Sequence, residues 1–171
     1  MRAGFQWPIE PYTTGDYLKY KERTWRHKIL WATHLGDDVV AEAGTQVGAI
    51  GAGEVVMADI LPGSEEHRSW GGVVIIRHQA QKQTETCYAI YGHLKDLRVA
   101  MGDQVAGGQE LGQVAGGYTS ENGWWKHPHL HFAIYTGPWR GKVLPGYWRP
   151  EQFWRTRLAW WHDPQTYIAL G

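Results

Sequence analysis

Val73-Val74-Ile75-Ile76 is an unbroken run of β-branched residues, preceded by Gly71-Gly72 and followed by Arg77. Such a run suits a strand buried on both faces. Short apolar stretches of the same design lie at Val39 to Ala41, Gly53 to Met57, Gly72 to Arg77, Thr86 to Tyr91, Leu111 to Val114 and His129 to Tyr135. Strands spaced this closely, with few helical patterns between them, predict a mainly β fold, a sandwich or a barrel. The 22 glycines supply the turns between them. Asp59 to Trp70, which contains Pro62-Gly63 and a charged run, reads as a surface loop. Pro150 to Trp161 reads as a short helix, with Pro150 in its first turn and Glu151 complementing the helix dipole.

A chain of 171 residues has room for one domain with its own core. Its 17 Lys and Arg balance 17 Asp and Glu, which argues against a nucleic-acid partner, since phosphate binding needs an excess of cations. The single cysteine, Cys87, cannot form an internal disulfide and reads as a core residue. Met1 to Glu10 lacks a basic segment followed by an apolar run, and no stretch approaches the roughly 18 apolar residues of a membrane span. Either the protein stays inside the cell or the sequence begins after a removed leader.

Three groups of histidines carry the chemistry. In His127-Pro128-His129-Leu130-His131-Phe132, strand alternation sends His129 and His131 to one face, so both can reach one ion, or one can ligate while the other works beside it. On spacing alone the pair is either a metal or catalytic site or two satisfied structural imidazoles. His34-Leu35-Gly36-Asp37-Asp38 sets an imidazole and a carboxylate four residues apart around a glycine, a donor set that suits zinc but also fits an exposed turn. Tyr91-Gly92-His93-Leu94 places a histidine at a strand end, where it can line a cleft.

Together these segments resemble the lysostaphin and LytM type of zinc metallo-endopeptidase, bacterial peptidoglycan hydrolases with a compact antiparallel β-sandwich of the duplicated hybrid motif type. His34, Gly36 and Asp38 match the HxGxD motif, Tyr91-Gly92-His93-Leu94 the YGHL motif and His129-Leu130-His131-Phe132 the HLHF motif. Phe5-Gln6-Trp7-Pro8 looks like the entry strand, and Val99 to Val105 with Gly108 to Gly112 looks like the VxxGDxVxxGQxIG hairpin. The resemblance implies a single peptidase domain over residues 1–171, with loop insertions, a short C-terminal helix and one zinc ion per chain. It implies that His34, Asp38 and His131 hold the zinc, with His93 and His129 as the catalytic pair. It further implies an endopeptidase cutting the stem or cross-bridge peptides of peptidoglycan, outside the cytoplasm, in the periplasm, the wall or the medium. A monomer is expected, with neither nucleic acid nor membrane as partner. Two other readings keep the fold: a non-catalytic module that binds the wall or regulates a hydrolase, and a protease of nonmural peptides.

The chain departs from the family at an insert over 59–71, at Trp124-Trp125-Lys126 and at a Trp-rich extension over 137–162. Aromatic faces suit sugar or peptide binding, so Trp124 and Trp125 are expected in the cleft, with Tyr91 and His127 as further substrate contacts. Trp154, Trp160 and Trp161 are expected to pack. His78 is read as structural, and His27, His67 and His162 as surface residues. Zero net charge leaves capture of substrate to the aromatic cleft.

Overall fold

The computed structural model describes residues 4–13, 15–25, 28–79 and 85–170, with 22–25 and 28–30 described by their backbone alone. His27 therefore lies outside the described residues. The strands are β1 (Tyr20–Trp25), β2 (Lys28–His34), β3 (Asp37–Val40), β4 (Gln46–Gly48), β5 (Gly53–Leu61) and β6 (Gly71–Gln79). They continue with β7 (Thr86–Lys95), β8 (Gln104–Val105), β9 (Glu110–Val114), β10 (His129–Tyr135), β11 (Tyr147–Trp148) and β12 (Trp161–His162), and helix α1 spans Pro164–Leu170.

The mainly β, antiparallel class expected from the sequence is the one observed. The larger sheet runs β12-β10-β7-β6-β5-β8, with β3 on β10, β9 on β7 and β4 on β9; β1, β2 and β11 form a second, three-stranded sheet. Its centre explains the unbroken apolar run. Val74, Ile76, Ala89, Tyr91 and Phe132 enter one core cluster, while Val73, Ile75, Ile90, Ala133 and Tyr135 enter another on the opposite face. Each fully buried Val or Ile there contributes roughly 1.5–3 kcal/mol relative to an exposed one. Cys87 is buried in the first cluster, as expected of a free thiol in a core. His78 is buried too, its Nδ1 at 2.8 Å from the Ala52 carbonyl oxygen, to which it donates.

Three local expectations are corrected. Asp59–Leu61 are the end of β5, paired with Gly71–Val73 of β6, so the loop is confined to 62–70. Pro150 to Trp161 is not a helix but two 3-10 turns, Pro150–Gln152 and Leu158–Trp160. The aromatic side chains of this stretch share no buried side: Phe153 and Trp154 are 68% and 69% exposed, whereas Trp161 is buried and leaves for β12. Trp154 therefore does not pack, and the C-terminal helix is α1 instead. The β1–β2 hairpin matches no apolar pattern read from the sequence.

Candidate metal centre and cleft

Strand β10 lies between β3 and β7, and this order assembles the site. His131 stands opposite Asp38 of β3 on one side and Gly92 of β7 on the other. His34 ends β2, one tight turn before β3. Gly36 makes that turn fit: a Cβ there would lie 2.4 Å from the Phe132 carbonyl oxygen and 2.8 Å from Ala133 Cβ. The glycine between the histidine and the aspartate is thus required by contact with β10, which is what sets their spacing.

Strict alternation along β7 would send His93 to the same face as Tyr91, into the core. The register prevents it. Val73 pairs with Gly92 and Gly72 with Leu94, so His93 is an extra residue on β7, and its φ is +65°. Bulges of this kind re-aim side chains next to functional sites. His93 consequently turns into the cleft, its ring centroid 4.5 Å from that of His129. Tyr91 stays behind in the core, fully buried, its hydroxyl accepting from the Ile50 N–H at 3.0 Å. The expectation that Tyr91 contacts substrate is corrected on that ground.

Three atoms converge at the cleft floor. His34 Nε2 lies 3.2 Å from His131 Nδ1 and 3.2 Å from Asp38 Oδ1, and His131 Nδ1 lies 3.4 Å from the same oxygen. Asp38 Oδ1 is buried, yet has no hydrogen-bond partner among the described residues. Two ligand atoms each about 2.0–2.1 Å from one zinc ion at the tetrahedral angle stand roughly 3.3–3.4 Å apart, so this triangle fits the ion. His129 Nε2 is farther from Asp38 Oδ1, at 3.8 Å.

The electrostatics favour the ligating forms. Burial pushes the Asp38 carboxyl up, but the facing His34 and His131 imidazoles outweigh this and hold it well below the usual carboxylate range. Burial pushes His131 down to about 4 against the opposing pull of Asp38, so its ring is neutral at pH 7. Burial, helped by His129 and His131, likewise holds His93 well below the ordinary imidazole value. His129 Nδ1 lies 2.7 Å from the His127 carbonyl oxygen, so the proton of a neutral ring sits there and Nε2 presents a lone pair.

Residues not singled out from the sequence complete the surroundings. Lys21 of β1 donates to Asp38 Oδ2 at 3.0 Å and to Asp16 Oδ2 at 2.5 Å, which occupies one carboxylate oxygen and leaves Oδ1 facing the imidazoles. Trp70, at the end of the 62–70 loop, donates from Nε1 to the Leu144 carbonyl oxygen at 3.0 Å, stacks beside His93 and meets His131 edge-on. Gly92 makes room for it, since a Cβ there would fall 2.4 Å from the indole. The only available signal was its position in a segment that reads as polar loop.

The cleft above the triangle has a volume of about 880 Å³ and is lined by His93, Trp125, His127 and Trp70 among others. Trp124 is not in its wall; it packs near Tyr118, at 6.4 Å between ring centroids, so its expected place in the cleft is corrected. Exposed His67 also faces the cleft, while half-buried His162 is held at 2.7 Å by Thr136 Oγ1 rather than lying free on the surface.

No helix among the described residues is long and apolar enough to cross a membrane. The chain is 28% identical over 143 residues to the murein hydrolase activator EnvC of Escherichia coli (strain K12), covering 80% of this chain but only 29% of that protein. It resembles in fold a zinc-containing peptidase from Vibrio cholerae, with a TM-score of 0.53 and 22% identity over 78% of this chain and 36% of the other. It also resembles the catalytic domain of the antimicrobial peptidase lysostaphin from Staphylococcus simulans, with a TM-score of 0.53 and 21% identity over 88% and 92% of the two chains. Residues 32–143, from the end of β2 to the far wall of the cleft, match peptidase family M23, and the chain belongs to that family.

Proposed function

We propose that this domain is a zinc-dependent endopeptidase that hydrolyses peptide bonds in the stem or cross-bridge peptides of bacterial peptidoglycan, outside the cytoplasm. The observation that carries the proposal is the triangle of His34 Nε2, Asp38 Oδ1 and His131 Nδ1, with two further histidines above it and an open cleft beside it. Three protein ligands and one open position are the catalytic form of a zinc site, whereas structural sites are closed by four. When bound there, zinc supplies Lewis acidity, which polarises a scissile carbonyl and acidifies water.

The chain's own residues divide the remaining work. His34, Asp38 and His131 hold the ion. His129, with its proton fixed on Nδ1 by the His127 carbonyl, offers Nε2 as the base that takes a proton from the attacking water. His93, neutral because of its burial, faces the same space and donates an N–H to the oxygen on which charge develops. Trp70 and Trp125 wall the cleft and present flat apolar faces to a peptide.

A second reading, a wall-binding or hydrolase-regulating module, draws on the similarity to a protein named as a murein hydrolase activator. Digestion separates the two. The zinc-loaded chain is expected to release soluble fragments from purified sacculi that, by mass spectrometry, have gained one water per cut at a peptide bond with glycan strands intact. A zinc-loaded preparation that yields no such product from any sacculus or cross-linked muropeptide overturns the mural endopeptidase reading, and failure to cleave protein substrates as well favours the regulatory one.

A further inference from the structure

The chain as a whole is neutral, but its cleft is not. Lys21 of β1, Arg68 of the 62–70 loop, Lys126 just before β10, and Arg149 and Arg155 beyond β11 all line it. Among the described residues the carboxylates lining it are Asp16 and Asp38, and Lys21 bonds to both. The outer cations keep no carboxylate of the cleft for themselves. Arg68 donates to the backbone carbonyl of Glu65 at 2.6 Å, and Arg155 to the Gln152 side-chain oxygen at 3.4 Å. Lys126 forms neither hydrogen bond nor ion pair among the described residues, and Arg149 sits 3.5 Å from Glu151, which lies outside the cleft.

These cations come from separate segments that converge only in the folded chain, and they surround a concave space with apolar walls. Such walls focus the field of a single-sign lining and raise the local concentration of an oppositely charged ligand. Guanidinium groups also recognise carboxylates by paired, parallel hydrogen bonds, which a peptide amide cannot return.

We propose that the cleft selects peptides bearing free carboxylates near the bond presented to the metal centre, in preference to uncharged segments such as oligoglycine. This rests on the endopeptidase reading for the bond cleaved, but the charge selection itself is a binding property. Within the mural substrates it favours acidic stem peptides and their direct cross-links over glycine bridges.

The test compares a D-Ala-cross-linked muropeptide dimer with free carboxyls, the same dimer with its carboxyls converted to carboxamides, and pentaglycine. Binding to the zinc-loaded chain is followed by fluorescence anisotropy and cleavage by chromatography. The free-carboxyl dimer is expected to bind about tenfold or more tighter than the carboxamide dimer at low salt, with pentaglycine weakest. That ratio is expected to shrink several-fold between roughly 50 and 500 mM salt, as screening shortens the Debye length. The combined Arg68→Gln, Lys126→Gln and Arg155→Gln variant should bring the ratio close to one.

Equal binding of the two dimers at low salt overturns the proposal, as does a ratio that survives the triple substitution. Carboxylate-dependent binding without cleavage sinks the endopeptidase reading and leaves the charge selection standing.

Discussion

His131→Ala is expected to empty the metal centre and abolish hydrolysis together. The ring supplies one of three atoms within 3.4 Å of one another, and no other described side chain stands in place to take over. His129 is the nearest candidate, but its Nε2 is 3.8 Å from Asp38 Oδ1 and it lies two residues along the strand. The loss in zinc affinity should exceed the roughly 10- to 100-fold that follows removal of a group that merely orients a ligand. His34→Ala and Asp38→Ala should behave alike. His34 is fully buried, so its truncation also leaves a void; circular dichroism and thermal unfolding beside metal analysis separate lost zinc from lost fold.

His129→Ala is expected to do something different: keep about one zinc per chain and lose roughly 10² to 10⁴ in rate. The difference follows from position along one strand. His131 faces Asp38 across the ladder, while His129 faces Val40, two residues farther from the aspartate. Its Nδ1 is committed to the His127 carbonyl, which fixes the tautomer that makes Nε2 a base. Metal analysis and peptide hydrolysis on one preparation of each variant check this. A zinc-free His129→Ala beside a zinc-loaded His131→Ala would reverse the two assignments.

How much of this was legible in the sequence depends on the residue. The central strands were, because β6, β7 and β10 are covered on both faces and their apolar runs are continuous. So was the shared face of His129 and His131, through the two-residue period of a strand, whereas the approach of His34 and Asp38 to them was implied by the family resemblance alone. Tyr91 was misread because alternation holds only until a bulge: parity puts Tyr91 and His93 together, and the extra residue at His93 parts them. Nothing local to Tyr91-Gly92-His93-Leu94 signals that; the His93 N–H, out of register with β6, donates to the Trp70 carbonyl oxygen at 3.0 Å, and Trp70 is 23 residues upstream of His93 in the chain. Lys21 was invisible for a similar reason. Tyr20-Lys21-Glu22-Arg23-Thr24-Trp25 shows no apolar alternation, and its strand exists through pairing with β2.

The tryptophans divide in the same way. Trp125 and Trp70 reach the cleft, Trp161 the core, and Trp154 lies exposed, although nothing in composition sets these four apart. What decides each is the local path of a loop, which apolar periodicity does not encode. The charge balance also proved too coarse a measure. Equal totals of acids and bases exclude a net field, but they say nothing of a cleft that gathers its cations from separate segments.

The proposed zinc ion sits between His34, Asp38 and His131 with a position open to the cleft. Crystals of the zinc-loaded chain, with diffraction collected on both sides of the zinc absorption edge, test this placement most directly. The expected result is a single anomalous peak within about 2.0–2.2 Å of His34 Nε2, Asp38 Oδ1 and His131 Nδ1, on the cleft side and not ligated by His129 or His93. A peak coordinated by His129 or His93, or no peak at the triangle in zinc-loaded crystals, would contradict the account.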